Sequence, residues 1–233
     1  MFDRIKKAFS RERKEAPQEE SALHLTHGPV SEWAGTQGFA FSVDGASQNI
    51  ALDGKVGGKP WRLQLGRPTR NYILGQELRA RCELGISNDT AVLVINRPLK
   101  EALEKRAYQI YTDDLQTSVD STLPEEMRWL AMYDEVGWDG LPREFWDRCC
   151  VLTDKRENAQ TWVDAPLADL ILNWPKPAPS AEVPFMILLL NGKAYLRMEY
   201  TPASLTTLQH AAQIFTAACE SALQLQPPKP PRR

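Results

Sequence analysis

The stretch Gly54-Lys-Val-Gly-Gly-Lys-Pro60 comes close to a phosphate-binding loop. That loop needs four residues between its glycines, then a lysine, then a serine or threonine hydroxyl for magnesium. Here three residues separate Gly54 from Gly58, Lys59 follows, and Pro60 removes both the hydroxyl and a backbone donor. Trp61, Leu63 and Leu65 then alternate with Arg62 and Gln64, which is strand periodicity. The spacing predicts a hairpin tipped by Gly57-Gly58 and not a phosphate cradle.

Metal and nucleophile chemistry find as little support. His24 and His27 form an H-x-x-H pair, but no cysteine or acidic cluster adds the third and fourth ligands a zinc ion requires. His210 falls off the apolar stripe of the last helix and is expected at the surface or its boundary. The four cysteines, Cys82, Cys149, Cys150 and Cys219, contain no C-x-x-C pair, so free thiols in a reducing compartment are expected. Cys149 and Cys150 are adjacent and would point to opposite faces of a strand. A reactive thiolate needs a cation or helix N-terminus beside it, and Arg148 would point the other way. No G-x-S-x-G elbow occurs. Carboxylates gather at Asp134, Glu135 and Asp139, and at Asp113 and Asp114, where turn chemistry explains them equally well. No catalytic residue, metal ligand or cofactor is assigned.

Three features suit binding. Arg67, Arg70, Arg79 and Arg81 interleave with Trp61 and Tyr72, a mixture that fits an anionic partner or a solvated face balanced by Glu77 and Glu83. Of seven tryptophans, Trp129, Trp138 and Trp146 bracket one loop; they pack a core, or form a partner surface if exposed together. At the N-terminus Phe2, Ile5 and Phe9 share a helical stripe flanked by Lys6 and Lys7, the pattern of a cationic segment lying in a membrane interface. The end, Pro227-Pro-Lys-Pro-Pro-Arg-Arg233, reads as an extended basic tail.

The elements that must position these groups follow from periodicity and punctuation. Residues 1–32 read as the basic segment and a linker, with folding from about Trp33. Strands are expected at 39–43, on both sides of the Gly57-Gly58 turn, at 77–84, where alternation overrides helix propensity, and at 91–95. A helix follows Pro98, from Leu99 to Ala107, and another runs from Glu125 to Met132. A loop is expected at 134–142, a strand from Phe145 to Leu152, and helices at 155–163 and 166–174. Asn191-Gly192 joins strands 185–190 and 193–200, since both residues accept the positive φ of a tight hairpin turn. Leu205, Leu208, Ala212, Phe215, Cys219 and Ala222 step by three and four along the closing helix.

The fold class is therefore α+β: antiparallel strands and hairpins with helices packed on one side. Two subdomains are expected, 33–120 and 121–225, before a tail at 226–233. The formal charge is −2 and the pI about 6.0, so no basic field draws in nucleic acid. No run approaches the roughly 18–20 apolar residues that span a bilayer. The first residues lack the apolar core of a secretory signal, so a cytoplasmic location is expected, with peripheral contact at the inner membrane.

One resemblance accompanies these readings. Phe145-Trp-Asp-Arg-Cys-Cys-Val-Leu-Thr-Asp154, the helical 159–174, the Leu190-Asn-Gly-Lys-Ala-Tyr-Leu196 hairpin and the upstream Val56-Gly-Gly-Lys-Pro-Trp-Arg-Leu63 hairpin resemble the element order of a bacterial protein family without an assigned activity. The similarity spans roughly residues 54 to 222. It implies a strand, helices, a hairpin and a long closing helix, and carries no active-site residue. The leading reading is a non-enzymatic cytoplasmic protein that binds a protein partner, with weak contact to anionic membrane. The alternative is an enzyme or small-ligand binder whose site uses residues no motif marks, such as Arg79, Arg81, Asp134 and Cys149.

Overall fold

A computed structural model describes residues 27–45, 49–113 and 125–225. The N-terminal stripe (Phe2, Ile5, Lys6, Lys7, Phe9), His24 and the C-terminal tail lie outside the described residues. Nine strands form one sheet: β1 (Ala40–Val43), β2 (Ile50–Val56), β3 (Lys59–Gly66), β4 (Glu77–Glu83), β5 (Val92–Asn96), β6 (Asp134–Val136), β7 (Cys149–Thr153), β8 (Phe185–Leu190) and β9 (Lys193–Glu199). Their order is β1-β2-β3-β4-β9-β8-β5-β7-β6, and every neighbouring pair is antiparallel. β5 lies between β8 and β7, and β4 pairs with β9, so strands from before and after residue 120 interleave. The α+β class and its antiparallel pairing are thus as the sequence indicates.

Both hairpin turns take the conformation their residues favour. Gly57 and Gly58 have φ of 53° and 76°, and Asn191 and Gly192 have 51° and 73°. The turn after β2 is also packed: a Cβ on Gly57 would lie 2.4 Å from Leu223 Cδ1.

Seven helices complete the described residues: α1 (His27–Gln37), α2 (Arg97–Asp113), α3 (Glu125–Met132), α4 (Arg143–Arg148), α5 (Arg156–Trp162), α6 (Ala165–Leu172) and α7 (Leu205–Leu223). Asp164 caps α6 by accepting from the Leu167 amide at 2.9 Å, and Ser204 Oγ caps α7 by accepting from the Thr207 amide at 3.1 Å. α1, α4, α5, α6 and α7 build the larger core on one sheet face, around Trp162, Phe145 and Phe215. Five of the seven described helices thus share one side of the sheet. α2 and α3 add a smaller layer opposite, where Leu99, Leu103 and Met127 meet Leu93, Ile95, Met186 and Leu188. β5 serves both: Val92 and Val94 enter the first core, Leu93 and Ile95 the second.

Three local expectations are corrected. The segment 145–152 is not one strand; α4 occupies 143–148 and β7 begins at Cys149. Pro142 precedes α4, and its Glu144 and Arg148 pair one turn apart at 2.7 Å, signals of helix that the apolar residues obscure. This also removes the strand from Phe145 on which part of the resemblance rests. Folding starts before Trp33, with α1, whose Val30 and Ala34 are fully buried. The loop at 134–142 contains β6, with Glu135 opposite Leu152.

Candidate functional site

The two helices of the smaller layer do not cover the whole sheet face. α2 packs on β5 and β7, while the outward side chains of β2, β3, β4 and β9 remain open beside α3. The register sets these side chains in two rows. Asp53, Arg62, Arg81, Tyr195 and Leu188 follow one another across β2, β3, β4, β9 and β8. Gln64, Arg79, Arg197 and Met186 form the next row. With Glu125 and Trp129 of α3 they line a cleft of about 670 Å³.

Strand pairing places Arg62 opposite Arg81 and Arg79 opposite Arg197, and like charges at opposed positions repel. Three of these arginines have counter-ions. Arg62 Nη1 lies 3.7 Å from Asp53 Oδ2, and Arg81 Nη2 donates to Glu83 Oε1 at 2.5 Å. That bond, followed by the charge of Lys193, holds the Glu83 carboxyl below its ordinary pKa. Arg197 has the deepest support. Its Nη1 donates to Glu126 Oε1, and its Nε lies 2.8 Å from Glu77 Oε1, outside hydrogen-bond alignment. Both carboxylates are fully buried.

Glu126 of α3 organises the network. Its Oε1 also accepts from Arg70 Nε at 2.7 Å and from the Tyr72 hydroxyl at 3.0 Å. Glu77 Oε2 accepts from the Thr69 amide and hydroxyl at 2.5 and 2.8 Å. Burial, and then the Glu126 charge, push the Tyr72 hydroxyl well above its ordinary pKa, so it stays a donor.

Arg79 differs from the other three. Among the described residues it has no ion-pair or hydrogen-bond partner, and its Nε is buried without one. A half-buried guanidinium offers five donors in a rigid fork matched to carboxylate and phosphate oxygens. The ion-pair network is thereby pre-arranged, and among the described cleft residues Arg79 is left for an external anion.

The structure brings together some of the residues singled out by sequence and separates others. Arg79 and Arg81 line the cleft, Arg70 bonds Glu126 of α3 beside it, and Arg67 is exposed outside it. Trp61 turns its ring into the larger core, and Tyr72 is buried in the smaller one, against Glu126. Asp134 sits on the edge strand β6 and Cys149 on its neighbour β7, away from the arginines. Arg62, Arg197, Tyr195 and Glu126 were not singled out. The first three were visible as polar members of alternating strands; Glu126 gave no signal.

The tryptophans proposed as one partner surface divide between the faces. Trp129 packs on the smaller core, whereas Trp138 and Trp146, with ring centroids 4.9 Å apart, pack on the larger one. All three are half-buried. His210 is buried, against the boundary position expected, with Nε2 2.8 Å from the Leu170 carbonyl and its ring 4.6 Å from Trp174. Glu135 forms ion pairs with Arg97 and Lys100, both at 3.2 Å. All four cysteines are free and buried. Cys149 and Cys150 face opposite cores as expected, and burial above all pushes each thiol up to about 12. No group of three metal-ligating side chains occurs among the described residues.

No family model, curated protein or solved structure matches the chain. No helix among the described residues is long and apolar enough to cross a membrane.

Proposed function

We propose that the protein is a binding protein that takes a small anionic ligand in the cleft of Arg62, Arg79, Arg81 and Arg197. The observation that carries this reading is Arg79, a half-buried guanidinium without a counter-ion among the described residues, opposite an Arg197 already paired with Glu77 and Glu126. Leaving a cation partly desolvated beside a like charge is unfavourable, and a bound anion removes the imbalance. The cleft's volume of about 670 Å³ falls within the range of small-molecule sites, roughly 300–1,000 Å³. Of the two readings drawn from the sequence, this geometry favours the ligand binder, without a catalytic group assigned.

The test is calorimetric titration of the full chain with inorganic phosphate, at two ionic strengths, beside Arg79→Ala. Binding that weakens with salt and falls about tenfold or more in the variant supports the reading. Equal binding by both proteins, or none by either, refutes it. The membrane reading rests on Phe2, Ile5, Lys6, Lys7 and Phe9 alone. Co-sedimentation with anionic vesicles, with and without residues 1–16, tests it separately.

A further inference from the structure

We infer that the ligand is an amphipathic anion, with a phosphate or carboxylate head at Arg79 and an apolar body lying across β9 onto β8. This rests on the anion-binding reading above and specifies its ligand class. The cleft changes character along each register row. Arg79 gives way through Arg197 to Met186, and Arg81 through Tyr195 to Leu188. Lys193 faces Leu190 in the row beside them. Met186 and Leu188 are buried where the far half of the cleft meets the smaller core, so the apolar surface open to the cleft is that of Leu190 and Tyr195, with Trp129 of α3 closing its side.

β4 and β8 are two strand spacings apart, about 10 Å. An inorganic anion at Arg79 would fill only the polar half and leave Leu190, Tyr195 and Trp129 wet. Arg197 does not draw a second anion there, because Glu77 and Glu126 already neutralise it. Tyr195, Leu190 and Trp129 are each half-buried, so they offer apolar surface that a ligand's body can cover. Both halves of the cleft are therefore used only by a molecule that joins a charged head to an apolar body.

The experiment is calorimetric titration of the full chain with inorganic, methyl, butyl and hexyl phosphate, with hexanoate, and with neutral hexanol. Affinity should rise about two- to fourfold per methylene along the phosphates. Arg79→Ala should weaken every member of the series. Leu190→Ser should remove most of the chain-length gain, and its circular dichroism and urea transition show that the variant is folded. Hexanoate against hexyl phosphate identifies the head group. If inorganic and hexyl phosphate bind equally, the amphipathic class is overturned while anion binding stands. If no anion binds, or hexanol binds as well as hexyl phosphate, the anion reading falls and this inference falls with it.

Discussion

Arg79 and Arg197 face each other across β4 and β9, yet among the described residues only Arg197 has counter-ions. Arg79 thus carries a cost in the unliganded protein and a function in the liganded one. Replacing it by leucine keeps the apolar stem and removes the repulsion. Arg79→Leu should raise stability by about 0.5–1 kcal/mol, seen as a higher urea midpoint. It should also abolish the stabilisation that phosphate gives the wild type. A lower midpoint, with phosphate stabilisation retained, would show that Arg79 is structural.

Glu126 presents the opposite case. It is fully buried, and three donors, from Arg70, Tyr72 and Arg197, converge on one of its oxygens. Truncation leaves a buried arginine and a buried hydroxyl short of an acceptor. Glu126→Ala should cost about 3–5 kcal/mol in urea denaturation. Glu83→Gln, at the exposed end of β4, should leave the midpoint unchanged. A small loss in Glu126→Ala would mean that Arg197 is adequately held by Glu77 alone.

How much of this was legible follows from what alternation can and cannot carry. In β4 the repeat of Leu78, Ala80 and Cys82 against Arg79, Arg81 and Glu83 fixes which side chains share a face, so Arg79 and Arg81 were readable as neighbours. The same logic holds for Arg62 in β3 and for Tyr195 and Arg197 in β9, once the strands are known to be adjacent. Adjacency itself was hidden: β4 meets β9 across more than a hundred residues, and no local signal encodes that pairing. Glu126 lies 71 residues from Arg197, on a helix whose other residues gave no hint of its burial. The cleft exists because α2 and α3 cover only part of the second face, a consequence of tertiary packing. α1 escaped notice for a different reason. It buries only Val30 and Ala34, too few to make a stripe.

The cysteines yield a chemical prediction. Cys149 and Cys150 sit in β7 with thiols pushed up to about 12, chiefly by burial. At pH 8 only about one in 10⁴ of either is thiolate, and only the thiolate reacts. A disulfide reagent at pH 8 should label neither in the native protein and both once urea unfolds it, read by mass spectrometry of the labelled peptides. Rapid native labelling of Cys149 would reinstate it as a candidate nucleophile.

Tyr72 supplies the pH dependence. Its folded-state pKa is raised by burial and by Glu126, so the folded protein holds this proton more tightly than the unfolded chain does. Stability from the neutral hydroxyl is therefore complete below the unfolded value of about 10, and is lost as pH rises above it. Between about pH 9 and 11.5 the urea midpoint of the wild type should fall more steeply than that of Tyr72→Phe, which has no proton to lose there. Below pH 9 the order is set by the hydroxyl's bond to Glu126 Oε1, at 3.0 Å, and the variant should be less stable by about 1–2 kcal/mol. The two curves should converge toward alkaline pH. Parallel curves would mean that Tyr72 ionises as easily folded as unfolded, and that its site beside Glu126 is open to water.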